Sequence, residues 1–222
     1  MKSALVRMRR RDAIGLLAAA AVLPLLNLPW TARSAWSEVA PADAETAVHD
    51  LAAQIWQSLG QADLAEQARI GAIAAMLVEA TDVELLSRLV LGRYWQRLDD
   101  EQKARYQALF RDVVMRSFAS RLNQYAKDAQ GPLEERFTIT SSAPAGKQDV
   151  LVRSRVRPLS GGTLAVDWRL RGSDGGPVII DVIIGGVSLL VSQRSEFAAV
   201  IERSDMEGLL AELQARASST RS

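Results

Sequence analysis

The apolar positions of this chain change period along its length. Residues 13–28 are an almost unbroken apolar run. Between 45 and 130 the apolar residues recur at three- and four-residue steps, the period of helices with one buried face. Val48, Leu51, Ala52, Ile55 and Leu59 make one such stripe over 45–59, which Gly60 ends. An alanine-rich helix over 63–80 comes next, then a short one over 82–91 with Thr81 or Asp82 as its cap. Gly92 interrupts the pattern before two large aromatics, Tyr94 and Trp95, which either cap a core or line the mouth of a cavity. Asp99, with Gln102 three residues on, is a capping-box start. The stripe Tyr106, Leu109, Phe110, Val113, Val114, Ser117, Phe118, Leu122 and Tyr125 then predicts one long helix over 99–125.

After Gly131-Pro132 the period becomes two. Phe137 and Ile139 share a side of a strand over 135–141. Val150, Val152, Ser154 and Val156 oppose Arg153, Arg155 and Arg157, and Leu164, Val166, Trp168 and Leu170 oppose Asp167, Arg169 and Arg171. Short loops between these runs make them antiparallel, with one buried face and one charged face. The charged face reads as a solvated ladder of cross-strand pairs. The run 178–184 is branched and apolar except for Asp181, as in a strand covered on both sides. Gly185-Gly186 turns the chain, and Leu189, Leu190, Gln193, Phe197, Val200 and Ile201 restore a helical period. A last helix over 205–215 carries Met206, Leu209, Leu210 and Leu213. The fold class is α+β: N-terminal helices, a four-stranded antiparallel sheet, then C-terminal helices. Its two largest apolar surfaces are the sheet face and the 99–125 helix, which either close into a solid core or enclose an apolar slot.

Composition narrows what such a fold can do. The chain has no cysteine, which removes disulfides, thiolate metal sites and a cysteine nucleophile. Its one histidine, His49, lies beside the first helical stripe, so no histidine triad or multi-histidine metal site can form within one chain. No glycine-rich phosphate loop ending in Lys-Ser/Thr occurs. The N-terminus carries Lys2, Arg7, Arg9, Arg10 and Arg11 ahead of the apolar run, and small residues at cleavage spacing follow at 32–34 and 42–44. This is the order of a signal peptide over 1–34, with Arg10-Arg11 similar to a twin-arginine signal; an uncleaved anchor is the rival reading. Cleavage, between 34 and 44, places the protein in the periplasm. Of 27 basic and 26 acidic residues, six and one lie in 1–34, leaving 21 against 25 and a net charge of −4. A mildly acidic exported chain lacks the basic footprint of a nucleic-acid binder.

Several of these stretches together resemble a known family. Leu89-Val90-Leu91-Gly92-Arg93-Tyr94-Trp95, the Leu109-Phe110 helix, and Asp181-Val182-Ile183-Ile184-Gly185-Gly186-Val187-Ser188-Leu189 with Arg194, Phe197 and Gly208-Leu209-Leu210 are similar to the MlaC family. These are periplasmic phospholipid carriers, also called toluene-tolerance proteins. One departure is that Gly175-Gly176-Pro177 stands where the family often has tryptophan. The resemblance implies an α+β fold, NTF2-like or cystatin-like in outline, with acyl tails between helices and sheet and the head group outside. It implies no catalytic residue and no cofactor, phospholipid being cargo. It also implies two partners: an inner-membrane ABC transporter complex with an MCE-domain protein, and an outer-membrane lipoprotein complex. The function that follows is a shuttle maintaining outer-membrane lipid asymmetry. A related branch is associated with hopanoids, so a hopanoid or sterol-like cargo is the alternative.

The residues then assign a slot within one domain over 45–216, with 217–222 as a tail. Val152, Val156, Leu164, Val166, Trp168, Ile180 and Val182 line it from the sheet. Leu109, Phe110, Val113, Val114 and Phe118 line it from the long helix, and Tyr94 stands at its mouth. Asp181 and Arg194 are expected to pair at the strand–helix corner, since a buried carboxylate needs a partner. Two other classes remain: a small enzyme of ketosteroid-isomerase type using Asp167 or Asp181 in an apolar pocket, and an interaction module with a filled core.

Overall fold

The computed structural model describes residues 39–219. The signal peptide and the rival anchor fall on residues 1–34, outside the described residues. Among these residues six α-helices and one sheet run in the order α1 (Pro41–Leu59), α2 (Glu66–Glu79), α3 (Val83–Leu91), α4 (Asp100–Leu109), α5 (Met115–Asn123), then β1 (Phe137–Pro144), β2 (Asp149–Val156), β3 (Leu164–Ser173), β4 (Gly176–Ile184), β5 (Val187–Ser188) and α6 (Leu189–Ser219). The expected helix–sheet–helix order is therefore found.

Local signals act as the sequence suggests at several starts. The Asp99 carboxylate accepts from the Gln102 N–H at 2.8 Å and the Gln102 side chain accepts from the Asp99 N–H at 3.3 Å, a complete capping box. Asp82 caps α3 through the Leu85 N–H at 2.9 Å. The predicted 99–125 helix, however, is not uniform. A π-helical segment, Phe110–Val114, separates α4 from α5. A π-turn holds one extra residue, so the apolar face rotates by about one position there. Leu109, Phe110, Val113 and Val114 all stay buried across the slip.

The sheet is an antiparallel meander in the order β1-β2-β3-β4-β5, five strands where four are expected. The extra strand, β5, is the two-residue return of the Gly185-Gly186 hairpin. It is too short to show a period. Strands β2 and β3 pair without irregularity, with Val152 opposite Trp168 and Ser154 opposite Val166. Strand β4 departs from the doubly covered strand expected. A bulge between Arg169 and Leu170 places an extra residue on β4, so two successive residues, Ile179 and Ile180, are both buried. Asp181, Val182 and Ile183 beyond it are only half-buried and Ile184 is exposed.

Helix α1 packs against β1, β2 and β4, while α6 packs against β4 and against α3 and α4. Helices α2 and α5 pack together as the outer part of the helical layer. Four aromatics fill the middle of that layer. Tyr106 lies 5.7 Å from Phe110 and 6.3 Å from Phe197 between ring centroids, and Trp95 meets Tyr106 edge-on at 6.4 Å. Burial drives the Tyr106 phenol well above its ordinary pKa, and its hydroxyl donates to the Ser87 carbonyl at 3.2 Å. Helix α6 contains a break at Ser204–Asp205, where Asp205 is the one non-glycine residue with positive φ (57°) among the described residues. Its carboxylate accepts from the Gly208 N–H at 3.1 Å, so it caps a second helix, as the separate 205–215 helix in the sequence requires. That helix continues to Ser219 with Ala217 buried, past the expected domain end at 216.

Candidate lipid-binding site

The inner wall of the sheet is built from alternate residues. Val152, Val166 and Ile180 are buried; Val156, Leu164, Trp168 and Val182 are half-buried. The half-buried residues include Val156 and Leu164, which pair with each other where β2 and β3 meet their connecting loop. Val166 pairs with Ile184 near the Gly185-Gly186 turn, at the same end of the sheet. Val166 and Ile180 are buried yet stand outside the contiguous hydrophobic core. The inner face is thus largely apolar and is only partly covered at this end, where Val156 and Leu164 are half-buried and Ile184 is exposed.

Two polar groups on this wall are neutralised locally. The Trp168 indole N–H donates to Ser154 Oγ at 3.0 Å, and the Ser154 hydroxyl donates to the Val166 carbonyl at 2.7 Å. A buried hydroxyl without a partner would cost about 1–3 kcal/mol. Here Ser154 also removes the one donor on the tryptophan ring, so the wall offers hydrocarbon alone. Sequence reasoning placed Ser154 on this face but gave it no role. The signal was a lone hydroxyl in an apolar alternation, one cross-strand step from a tryptophan.

On the helical side, Leu109, Phe110, Val113 and Val114 are buried and Phe118 is half-buried. Four of these five residues lie in or next to the π-helical segment. They share one hydrophobic core with Val152, and Val156, Trp168 and Val182 pack against it. Tyr94 is buried in the same core, at its edge. It lies in the 3₁₀ segment Gly92–Arg97, and its ring lines an open groove of about 640 Å³ with Leu98, Gln102, Ile201 and Met206. The guanidinium groups of Arg93 and Arg97 lie 5.0 and 5.6 Å from its ring centroid, and its hydroxyl donates to Glu202 at 3.0 Å. His49 is exposed, 3.7 Å from the Asp50 carboxylate.

The strand–helix corner is held differently from the pair expected. Asp181 does not meet Arg194. One carboxylate oxygen accepts from the Ser188 hydroxyl at 2.6 Å and the other from the Leu190 N–H at 3.0 Å, while Ser188 Oγ accepts from the Val191 N–H at 3.0 Å. The strand carboxylate is therefore the N-terminal cap of α6, where a negative charge also suits the helix dipole. Arg194 instead donates from Nε and Nη2 to the Leu89 carbonyl, at 3.0 and 2.5 Å. This ties the last turn of α3 to α6. Gly92, with φ of 55°, lies against the same side chain: a Cβ there would come 3.7 Å from Arg194 Nε. The Leu-Gly-Arg-Tyr-Trp stretch and the Asp181–Arg194 stretch are thus parts of one joint.

Neither carboxylate invoked for an enzyme lies in an apolar pocket. Asp181 spends both oxygens on the cap, and Asp167 lies on the charged face opposite Arg153.

Comparison with known proteins agrees with this architecture. The family model described as MlaC protein matches residues 46–215. A solved structure of a phospholipid-binding protein from Ralstonia solanacearum, in complex with a phospholipid, is 26% identical to this chain. The likeness covers 83% of this chain and 99% of that one, with a TM-score of 0.62. With three quarters of the sequence inside the match, from the second turn of α1 to the last turns of α6, this chain belongs to the MlaC family.

Proposed function

We propose that this protein is an exported lipid carrier that holds the acyl chains of a phospholipid between the sheet and the α4–α5 helices. The observation that carries the reading is the inner face of the sheet. It is largely apolar from Leu164 to Val182, has its polar groups paired within the wall, and is only partly covered toward the hairpin, where Leu164 and Val182 are half-buried and Ile184 is exposed. Likeness to a phospholipid-binding protein over nearly that whole chain supports the cargo class. Tails enter past Leu164 and Val156 and lie along Val152, Val166, Trp168, Ile180 and Val182. The opposite wall is Leu109, Phe110, Val113, Val114 and Phe118, and the head group stays in solvent.

Energetics explain why such a protein is needed. Exposing an acyl chain to water costs about 0.8 kcal/mol per CH₂, so two tails cost on the order of 20 kcal/mol. A hydrocarbon-lined slot nearly cancels that cost, so exchange with a membrane complex is close to balanced and the carrier needs no nucleotide of its own. The protein acts in the periplasm after cleavage of its signal peptide. It moves phospholipid between an outer-membrane lipoprotein complex and an inner-membrane transporter with an MCE-domain subunit, and so maintains lipid asymmetry. It is a binding protein rather than an enzyme.

The test is to purify the exported protein without detergent, extract it into organic solvent and identify the extract by mass spectrometry. Stoichiometric phospholipid is expected, and Val166→Asp or Val113→Asp should lose it while remaining folded. A hopanoid would move the cargo to the related branch. A folded wild-type protein that is empty, and that stays empty after incubation with phospholipid vesicles and the membrane complexes, would overturn the reading.

A further inference from the structure

Five large apolar side chains stay exposed among the described residues: Tyr125, Leu159, Ile184, Val187 and Val191. The last four gather at one end of the sheet. Leu159 lies in the β2–β3 loop and is joined to the segment after α5 by its N–H, which donates to Asp128 at 3.3 Å. Ile184 and Val187 face each other across the Gly185-Gly186 turn, and the Gly185 N–H donates to the Ala165 carbonyl at 3.0 Å. Val191 follows in the first turn of α6. A Cβ on Gly185 or Gly186 would meet nothing within 4 Å, so the hairpin tip projects from the molecule. Val187 and Val191 are 58% and 55% exposed, unusual for valines that nothing in the chain requires there.

The charge around this tip is not that of the whole chain. On the outer face of the sheet, Asp149 takes up Arg169 and Arg171 at the far end. Arg153, Arg155 and Arg157 run toward the apolar end, are exposed, and join no ion pair among the described residues. The acids on the adjoining strand and loop, Asp167 and Asp128, are half-buried, and Asp128 is engaged by Leu159. Glu134 and Glu135 are exposed just before β1 and lie at this same end, where the Arg157 N–H donates to the Arg136 carbonyl at 2.8 Å, so they offset part of the row's charge. A chain whose residues 35–222 sum to −4 therefore places three guanidinium groups in a row beside its exposed apolar tip.

We propose that this end of the sheet is a docking surface for an anionic phospholipid bilayer. Val187, Val191, Ile184 and Leu159 enter the headgroup–acyl boundary, and Arg155 and Arg157, with Arg153 behind them, meet lipid phosphates. Apolar residues at a tip with basic residues just behind them match the layering of such an interface, hydrocarbon inward and phosphate outward. Planar guanidinium groups bind phosphate oxygens in pairs. The tip also adjoins Leu164 and Val166, so docking sets the open end of the apolar wall against the membrane. The proposal rests on the carrier reading for its purpose and not for its geometry.

The test is co-sedimentation of the exported protein with vesicles of phosphatidylglycerol and with vesicles of phosphatidylcholine. Binding to the anionic vesicles that weakens with salt is expected, with little to the neutral ones. Arg155→Glu and Arg157→Glu should each weaken it by about fivefold or more. Val187→Asp combined with Val191→Asp should abolish it; both positions are exposed, and an unchanged circular dichroism spectrum verifies folding. Absence of vesicle binding by the wild type, or binding that neither pair of variants alters, overturns the proposal. So does a concentration-dependent dimer dissolved by Val187→Asp, which would give the patch to a second copy. Mass spectrometry of lipid bound in the same preparation separates this failure from failure of the carrier reading.

Discussion

The two ends of the sheet are made of the same strands and differ in what closes them. At the β1–β2 hairpin end, Asp149 is buried with only 3% of its side chain exposed and is gripped by Arg169 at 2.6 Å and Arg171 at 2.6 Å. Burial alone would raise its carboxyl, but the hydrogen bonds and charges of Arg171 and Arg169 outweigh that and hold it below its ordinary pKa. Behind it on the inner face, Leu170 is fully buried against the core. At the other end, Ile184 and Val187 are exposed and Leu164 and Trp168 are half-buried, though Val166 and Ile180 are buried. One end invests in stability and the other leaves apolar surface unburied. A protein that only needed to fold would seal both, so the open end is the place to look for function.

This contrast is sharpest in the core. Leu170→Ala should cost about 3 kcal/mol, because a fully buried leucine loses both its transfer energy and the packing around it. Leu164→Ala, the equivalent truncation at the open end, should cost less, about 1–2 kcal/mol, since part of that side chain already faces water. Urea unfolding of the two variants measures the difference directly. Equal costs would mean that the open end is as tightly packed as the closed one.

Asp149→Asn comes next, with an expected loss of about 2 kcal/mol, mostly from hydrogen bonds between the buried carboxylate and two charged partners that are themselves partly exposed. Its pH dependence has a definite sign. A carboxyl whose folded pKa lies below the unfolded value stabilises the protein fully above that unfolded value, near 4, and loses this as pH falls through the folded value. The wild type should therefore lose stability below about pH 4 more steeply than Asp149→Asn, and the gap between their melting temperatures should close in acid. A gap that is constant with pH would show that the arginines do not discriminate the charged form.

Much of the closed end was legible in sequence, and less of the open one. The alternation of β2 and β3 gave their register class, since Val150, Val152 and Ser154 against Arg153 and Arg155 admits one burial pattern. Asp82 and Asp99 declared their caps through local spacing. Three features were hidden because they break periods. The π-segment keeps Leu109, Phe110, Val113 and Val114 on the core face by adding a residue to the turn, which steps of three and four cannot register. The bulge in β4 buries Ile179 and Ile180 together, which in a uniformly apolar run leaves no mark. Arg194 was assigned to Asp181 by charge, but a backbone carbonyl from α3 and a helix N-terminus proved the better partners for the two groups. Charge pairing ignores backbone groups, and they are the more numerous ligands.

The cap on α6 connects the open end to the helical layer, and Asp181→Ala should cost about 1 kcal/mol, the ordinary value for a lost N-cap. The loss should be accompanied by faster amide exchange at Leu190 and Val191, whose N–H groups the Asp181–Ser188 pair holds. Unchanged exchange there would mean that Ser188 alone suffices as the cap.

The smallest expected effect on stability is the most informative about the slot. Trp168→Phe removes one hydrogen bond, from the indole to Ser154 Oγ, and leaves the Ser154 hydroxyl still donating to Val166. No buried donor is orphaned, so the cost should be about 0.5–1 kcal/mol. Trp168 is half-buried on the wall proposed to meet acyl chains, and an indole there passes from partial contact with water to contact with hydrocarbon when the slot fills. Lipid removal from the wild type should shift its tryptophan emission to longer wavelength, and reloading should reverse the shift. In Trp168→Phe most of that shift should vanish, because Trp56 and Trp95, the other tryptophans among the described residues, pack against the core away from this wall. A shift of undiminished size in the variant would place the lipid elsewhere and turn attention to the Tyr94 groove.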